Sequence, residues 1–306
     1  MTSGSTFRWL GSALFSVACA ASPTPTIGIT PSSALAIEPT TKPSSRAEPA
    51  ANRAPSTLVV FGVERDGLLP IACFHASLKR TQGGADCLDL VPEGDSVVTE
   101  RGQTLVVGKR RDVSCPRGHT HQPGFAFTKQ TDSDAKSYFA VWPRDALGRL
   151  SVSAGDLKPA AAELDALEAL LRQTLAQEST DALPASQRAF LLYTGESVDL
   201  DGDGTPDRVF SGVVDSLEGL RFTGVVGFLS THGGKPSIIH RDPAYTYYLR
   251  GSVDLDGSGG RELLVTRALV EHSSGAPTQL ENAVGILHGR EYRFLGLPCS
   301  LVPEGS

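Results

Sequence analysis

From about Thr57 onward, short apolar runs alternate with polar turns, and that rhythm predicts β-strands. Leu58-Val59-Val60-Phe61-Gly62-Val63 is a β-branched run closed by the turn Glu64-Arg65-Asp66-Gly67. Ile71–Phe74, Cys87–Val91, Phe125–Phe127 and Tyr138–Trp142 read as further short strands. Ser96–Thr99 and Thr104–Val107 read as a hairpin turning at Arg101-Gly102. The period then changes. Asp156 suits a helix N-cap, Pro159 suits a first turn, and Leu164, Leu167, Leu171 and Leu175 recur on one face. That spacing predicts a core-packing helix over 156–178, with Glu163, Asp165 and Glu168 on its outer side. Strand patterns return at Ala189–Tyr193, Arg208–Val214, Phe222–Leu229, Pro236–His240, Tyr245–Leu249, Glu262–Val270, Ala283–Leu287 and Tyr292–Leu295. The expectation is a mainly β fold with one central α-helix. A small N-terminal β-rich domain spans 57–155, the bridging helix 156–178, and a C-terminal β-domain 186–300.

The first 56 residues follow neither period. Arg8 precedes an apolar run, Trp9 to Ala21, that is too short to span a bilayer and suits an export signal over 1–20. Two processing routes stay open. Ala18-Cys19-Ala20 fits ordinary signal cleavage, whereas Val17-Ala18-Cys19 resembles the end of a lipobox that would lipidate Cys19. Ser16 departs from that pattern, which prefers Leu there. Residues 21–56 are dominated by Pro, Ser, Thr and Ala and read as a disordered tether. The chain is therefore expected outside the cytoplasm: in the periplasm, at the outer membrane as a lipoprotein, or extracellular. Membrane contact would come only through the lipid anchor.

Cysteine usage agrees with export. Apart from Cys19 there are Cys73, Cys87, Cys115 and Cys299, an even set suited to disulfides in an oxidising compartment. Three connectivities are open, of which Cys73–Cys87 as a local clamp and Cys115–Cys299 as a long-range staple is favoured. Cys115 to His121 lacks a standard zinc spacing. The net charge of -6 and the lack of a basic stripe argue against a nucleic-acid partner, and Lys109-Arg110-Arg111 reads as a solvated face.

One stretch concentrates chemistry. In Asp199-Leu200-Asp201-Gly202-Asp203-Gly204-Thr205-Pro206-Asp207, alternating aspartates put three carboxylates on one concave side, and Gly204 allows a sharp reversal. The Thr205 carbonyl can then point inward and Asp207 can close the ring. Four carboxylates this close repel one another without a cation, and calcium prefers six to eight oxygens in a tight turn. A second copy stands 55 residues later, where Asp254, Asp256 and Glu262 keep their places, Ser258 replaces the third acid, and Gly260 holds the backbone position. Fewer charges make it the weaker metal site.

These two stretches, Asp199 to Val209 and Asp254 to Val265, resemble FG-GAP/VCBS-type repeats of exported bacterial proteins. In that family the acidic loop joins two strands of a β-propeller blade and binds calcium. The resemblance implies Asp199, Asp201, Asp203 and Asp207 as side-chain ligands, with Thr205 through its carbonyl. Phe210 and Val265 stand where an EF-hand would carry its bidentate glutamate. Two units cannot close a propeller of four or more blades, so an incomplete propeller or a sandwich is expected. The implied function is an exported, non-enzymatic binding or structural protein with a protein or glycan ligand. The alternative is an exported hydrolase in which calcium is only structural. No nucleophile elbow, metalloprotease helix or phosphate-binding glycine loop stands in the sequence to favour the latter.

Overall fold

The run Leu58–Val63 lacks clean apolar–polar alternation because both of its faces are buried. A computed structural model describes residues 56–115, 121–129, 137–152, 157–178, 191–213, 226–230, 236–242, 245–270, 277–288 and 291–296. All of these belong to one compact unit, Ala50–Ser306. Its front part contains β1 (Leu58–Val63), β2 (Leu68–His75), β3 (Arg80–Gly83), β4 (Ser96–Thr99), β5 (Thr104–Ser114), β6 (His121–Lys129) and β7 (Phe139–Trp142). Antiparallel pairing runs β1-β7-β4-β5-β6-β2, and β2 pairs back onto β1, closing a six-stranded barrel with β3 added at β2. Val59, Phe61, Leu68, Cys73, Leu105, Phe125 and Ala140 form one apolar cluster of the barrel.

The alternate residues point the other way. Leu58, Val60, Ile71, Phe74, Phe139 and Val141 share an apolar cluster with Val253, Leu255, Leu264 and Val284 from the C-terminal half. That half carries β8 (Leu150–Val152), α1 (Ala161–Glu178), β9 (Leu191–Val198), β10 (Asp207–Val213), β11 (Val226–Ser230) and β12 (Ser237–Asp242). It ends with β13 (Tyr245–Val253), β14 (Glu262–Val270), β15 (Pro277–His288) and β16 (Glu291–Gly296). β9 to β12 form one four-stranded antiparallel meander and β13 to β16 a second, with β8 paired to the free edge of β13. Val198, Leu200 and Val209 from the first meander pack with Tyr247, Leu249, Leu263, Val265 and Tyr292 of the second.

Three expectations need correction. Cys87–Val91 is not a strand: Gly84–Leu90 is a 3-10 helix. Gly84 turns the chain at φ 58, and Cys87 is disulfide-bonded to Cys73 in β2 with Cα atoms 5.8 Å apart, so the segment curls back instead of extending. Helix α1 begins at Ala161, after Pro159, and Asp156 lies outside the described residues. Leu167 and Leu171 are fully buried as the spacing requires. Glu163, expected outside, instead turns inward: its Oε2 accepts the Ala160 N–H at 3.1 Å and its Oε1 pairs with Arg208 Nε at 3.0 Å.

Candidate metal centre

Each meander opens with a hairpin whose turn is an acidic loop. β9 and β10 leave the first loop with Val198 opposite Asp207; β13 and β14 leave the second with Val253 opposite Glu262. The glycines explain how the turns close. Gly202 and Gly204 adopt φ 77 and 84, and Gly257 and Gly259 adopt 80 and 98, left-handed values that favour glycine at all four places.

The same hydrogen-bond scheme holds both loops. Asp199 Oδ1 accepts the Gly202 N–H at 2.8 Å, and Asp254 Oδ1 accepts the Gly257 N–H at 2.7 Å. Asp201 Oδ1 accepts the Asp203 N–H at 3.2 Å, as Asp256 Oδ1 accepts that of Ser258 at 2.8 Å. The closing acids also correspond: Asp207 Oδ2 receives the Leu200 N–H at 3.2 Å, and Glu262 Oε2 receives the Leu255 N–H at 2.8 Å. In the first loop alone, Asp199 Oδ2 takes the Gly204 N–H at 2.9 Å and Asp203 Oδ1 takes the Thr205 N–H at 2.6 Å. Backbone donors thus orient the carboxylates, and Leu200 and Leu255 anchor the loops in apolar clusters.

Asp199, Asp201 and Asp203 each offer an oxygen within 4.8 Å of the others. Of the four sequence-predicted first-loop carboxylates, the structure gathers these three. Asp207, at the start of β10, is 3% exposed and lies outside that cluster. Asp254, Asp256 and Glu262 do not converge as closely, since no second acidic trio of that tightness occurs among the described residues. Ser258 and Gly260 hold the places of Asp203 and Thr205 in the shared scheme.

The loops also touch each other. The Arg261 N–H donates to the Asp199 carbonyl at 3.0 Å, and a Cβ at Gly202 would meet the Gly260 nitrogen at 2.8 Å. The chain matches no known family model, curated protein or solved structure.

Electrostatics separate the two loops. Burial pushes the Glu262 carboxyl up to about 7, with Asp256 and Asp254 adding to the effect against two backbone hydrogen bonds. Burial, and behind it the charges of Glu262 and Asp207, push the Tyr292 phenol far above its ordinary value. Arg149 is the cation the sequence pattern does not reveal. Its Nε donates to the Asp254 carbonyl at 2.6 Å, and the Asp254 N–H returns a bond to the Arg149 carbonyl at 2.9 Å. Arg149 and Asp254 are 105 positions apart, so no local pattern could have joined them. Arg261 stands inside the second loop, where the repeat pattern gives it no role; its Nη2 donates to the Arg149 carbonyl at 2.9 Å.

Cys73 and Cys87 are paired as favoured. Cys115 is also disulfide-bonded, while Cys299 and Cys19 lie outside the described residues.

Proposed function

We propose that the chain is an exported, non-enzymatic binding or structural protein whose paired meanders are FG-GAP/VCBS-type units, with calcium bound in the first acidic loop. The observation that carries this reading is the trio Asp199, Asp201 and Asp203, whose oxygens lie within 4.8 Å of one another. Backbone N–H groups already fix these carboxylates, so an entering ion meets oriented oxygens. Calcium would neutralise their repulsion and stabilise the folded form by mass action. Extracellular calcium modules of modest charge bind at about 10⁻⁴–10⁻³ M, which suits a calcium-rich exterior. Two acidic hairpins at matching places in two meanders support the repeat assignment. Bonded cysteines support passage through an oxidising compartment.

Calorimetric titration of the full chain tests this directly. Calcium is expected to bind with millimolar or tighter affinity, and Asp201→Asn, which keeps an oxygen for the Asp203 N–H, is expected to weaken binding at least tenfold. A folded wild-type chain that takes up no calcium at several millimolar would end the proposal.

A further inference from the structure

The two loops share a backbone scheme but not a charge balance. The first carries four carboxylates, Asp199, Asp201, Asp203 and Asp207, and no basic residue between them. The second carries three, Asp254, Asp256 and Glu262, and has Arg261 within it and Arg149 bonded to its backbone. We infer that Arg149, seconded by Arg261, is the permanent cation of the second loop, so that the chain holds one calcium ion rather than two. This rests on the calcium reading for the ion count, but not for the role of Arg149.

The guanidinium is held through two of its nitrogens, and the Arg149 main chain adds a third bond to the loop. Nε binds the Asp254 carbonyl, Nη1 binds Ser56 Oγ at 3.1 Å, and the Arg149 carbonyl takes the Asp254 N–H. Nη2 is buried without a hydrogen-bond partner, so this arm of the side chain is not kept for its hydrogen bonds. No direct ion pair joins Arg149 to the loop's acids among the described residues; burial works against its charge and Arg261 repels it, while Asp254, Asp256 and Glu262 all attract it through the field. An arginine stays protonated at any working pH, and in a partly buried setting its charge is poorly screened. A divalent ion entering the second loop would face this fixed positive charge with one acid fewer to hold it. In the first loop, the nearest described arginine to the closing acid in sequence, Arg208, is turned to Glu163 and the Lys158 carbonyl.

Two measurements on the full chain decide it. The first is a double-mutant cycle in a chelator, free of calcium, read as the urea midpoint. Arg149→Met is expected to lower the midpoint of the wild-type chain and to lower it clearly less in an Asp256→Asn background, while an Asp201→Asn background leaves the loss undiminished. Equal losses in all three backgrounds would show a packing role alone and overturn the inference. The second is calcium stoichiometry by equilibrium dialysis. One ion per chain is expected for wild type and for Asp256→Asn, and clearly less than one at the same calcium concentration for Asp201→Asn; two ions in wild type, or loss of the ion in Asp256→Asn, would overturn it. A wild-type chain that binds no calcium strikes the proposed function, and the calcium-free cycle still decides what Arg149 does.

Discussion

At the scale of single residues, the left-handed glycines separate conformational strain from crowding. Gly204 has φ 84, and a methyl group added there would find nothing within 4 Å, so Gly204→Ala meets only the backbone penalty, about 1–2 kcal/mol. Gly202 has a similar φ, but its Cβ would press on the Gly260 backbone at 2.8 Å. Gly202→Ala is therefore expected to cost more, about 2–3 kcal/mol, because the neighbouring loop must shift as well. Equal urea midpoints for the two variants would show that the loops do not brace each other. Glu100 gives a pH signature. Burial pushes its carboxyl above the ordinary value, although its oxygens accept the Tyr138 and Phe139 N–H groups at 2.7 and 3.1 Å. A carboxyl raised in the fold favours folding below its unfolded value, and that contribution is lost as pH rises through the folded value. The cost of Glu100→Gln should thus be larger in mild acid than at neutral pH. A midpoint difference that stays constant across that range would contradict the assignment.

At the scale of elements, helix α1 shows what a pattern can reveal. Leu167 and Leu171 lie four apart and both are fully buried, so period alone identified the packed face. Leu167→Ala is expected to cost about 2–5 kcal/mol in chemical denaturation, whereas Asp165→Ala, on the exposed side, should cost less than about 0.5 kcal/mol. Comparable losses would mean the helix is docked by another face. The acidic hairpins were legible for a similar reason, since turn geometry is local and depends on Asp and Gly at fixed offsets. Glu163 was not, because its partner Arg208 lies 45 residues away. Cys87–Val91 was misread for want of the same long-range information: an apolar run beside a glycine suits either a strand or a curl, and the bond to Cys73 selects the curl. The mainly β class was legible from strand rhythm. Barrel closure was not, because it depends on β1 meeting both β2 and β7, and Phe61 pairs with Ala140 far down the chain.

At the scale of the whole molecule, the boundary suggested by the sequence near 155 does not separate two cores. β8 lies before that boundary and pairs with β13 beyond it. Leu255, at the root of the second acidic loop, is fully buried in one cluster with Leu58, Val60 and Phe139 of the barrel. A polar link runs alongside: Asn282 Nδ2 donates to Glu64 Oε1 at 3.3 Å, and the Arg250 guanidinium lies 4.4 Å from the Tyr138 ring centroid. Shared apolar burial makes the two parts unfold together, since neither can leave without exposing the other's surface. Leu255→Ala should then destabilise the barrel although it alters no barrel residue, by about 2–5 kcal/mol. With Trp9→Phe, Trp142 becomes the single indole of the chain, and it reports on the barrel through β7 and its bond to Asp95 Oδ2 at 2.9 Å. Its fluorescence midpoint in urea should fall together with the far-UV circular dichroism midpoint, and by the same amount. If the indole signal held its wild-type midpoint while the circular dichroism transition moved or split, barrel and meanders would be independent folding units, and a calcium ion in the loops could not stabilise the barrel.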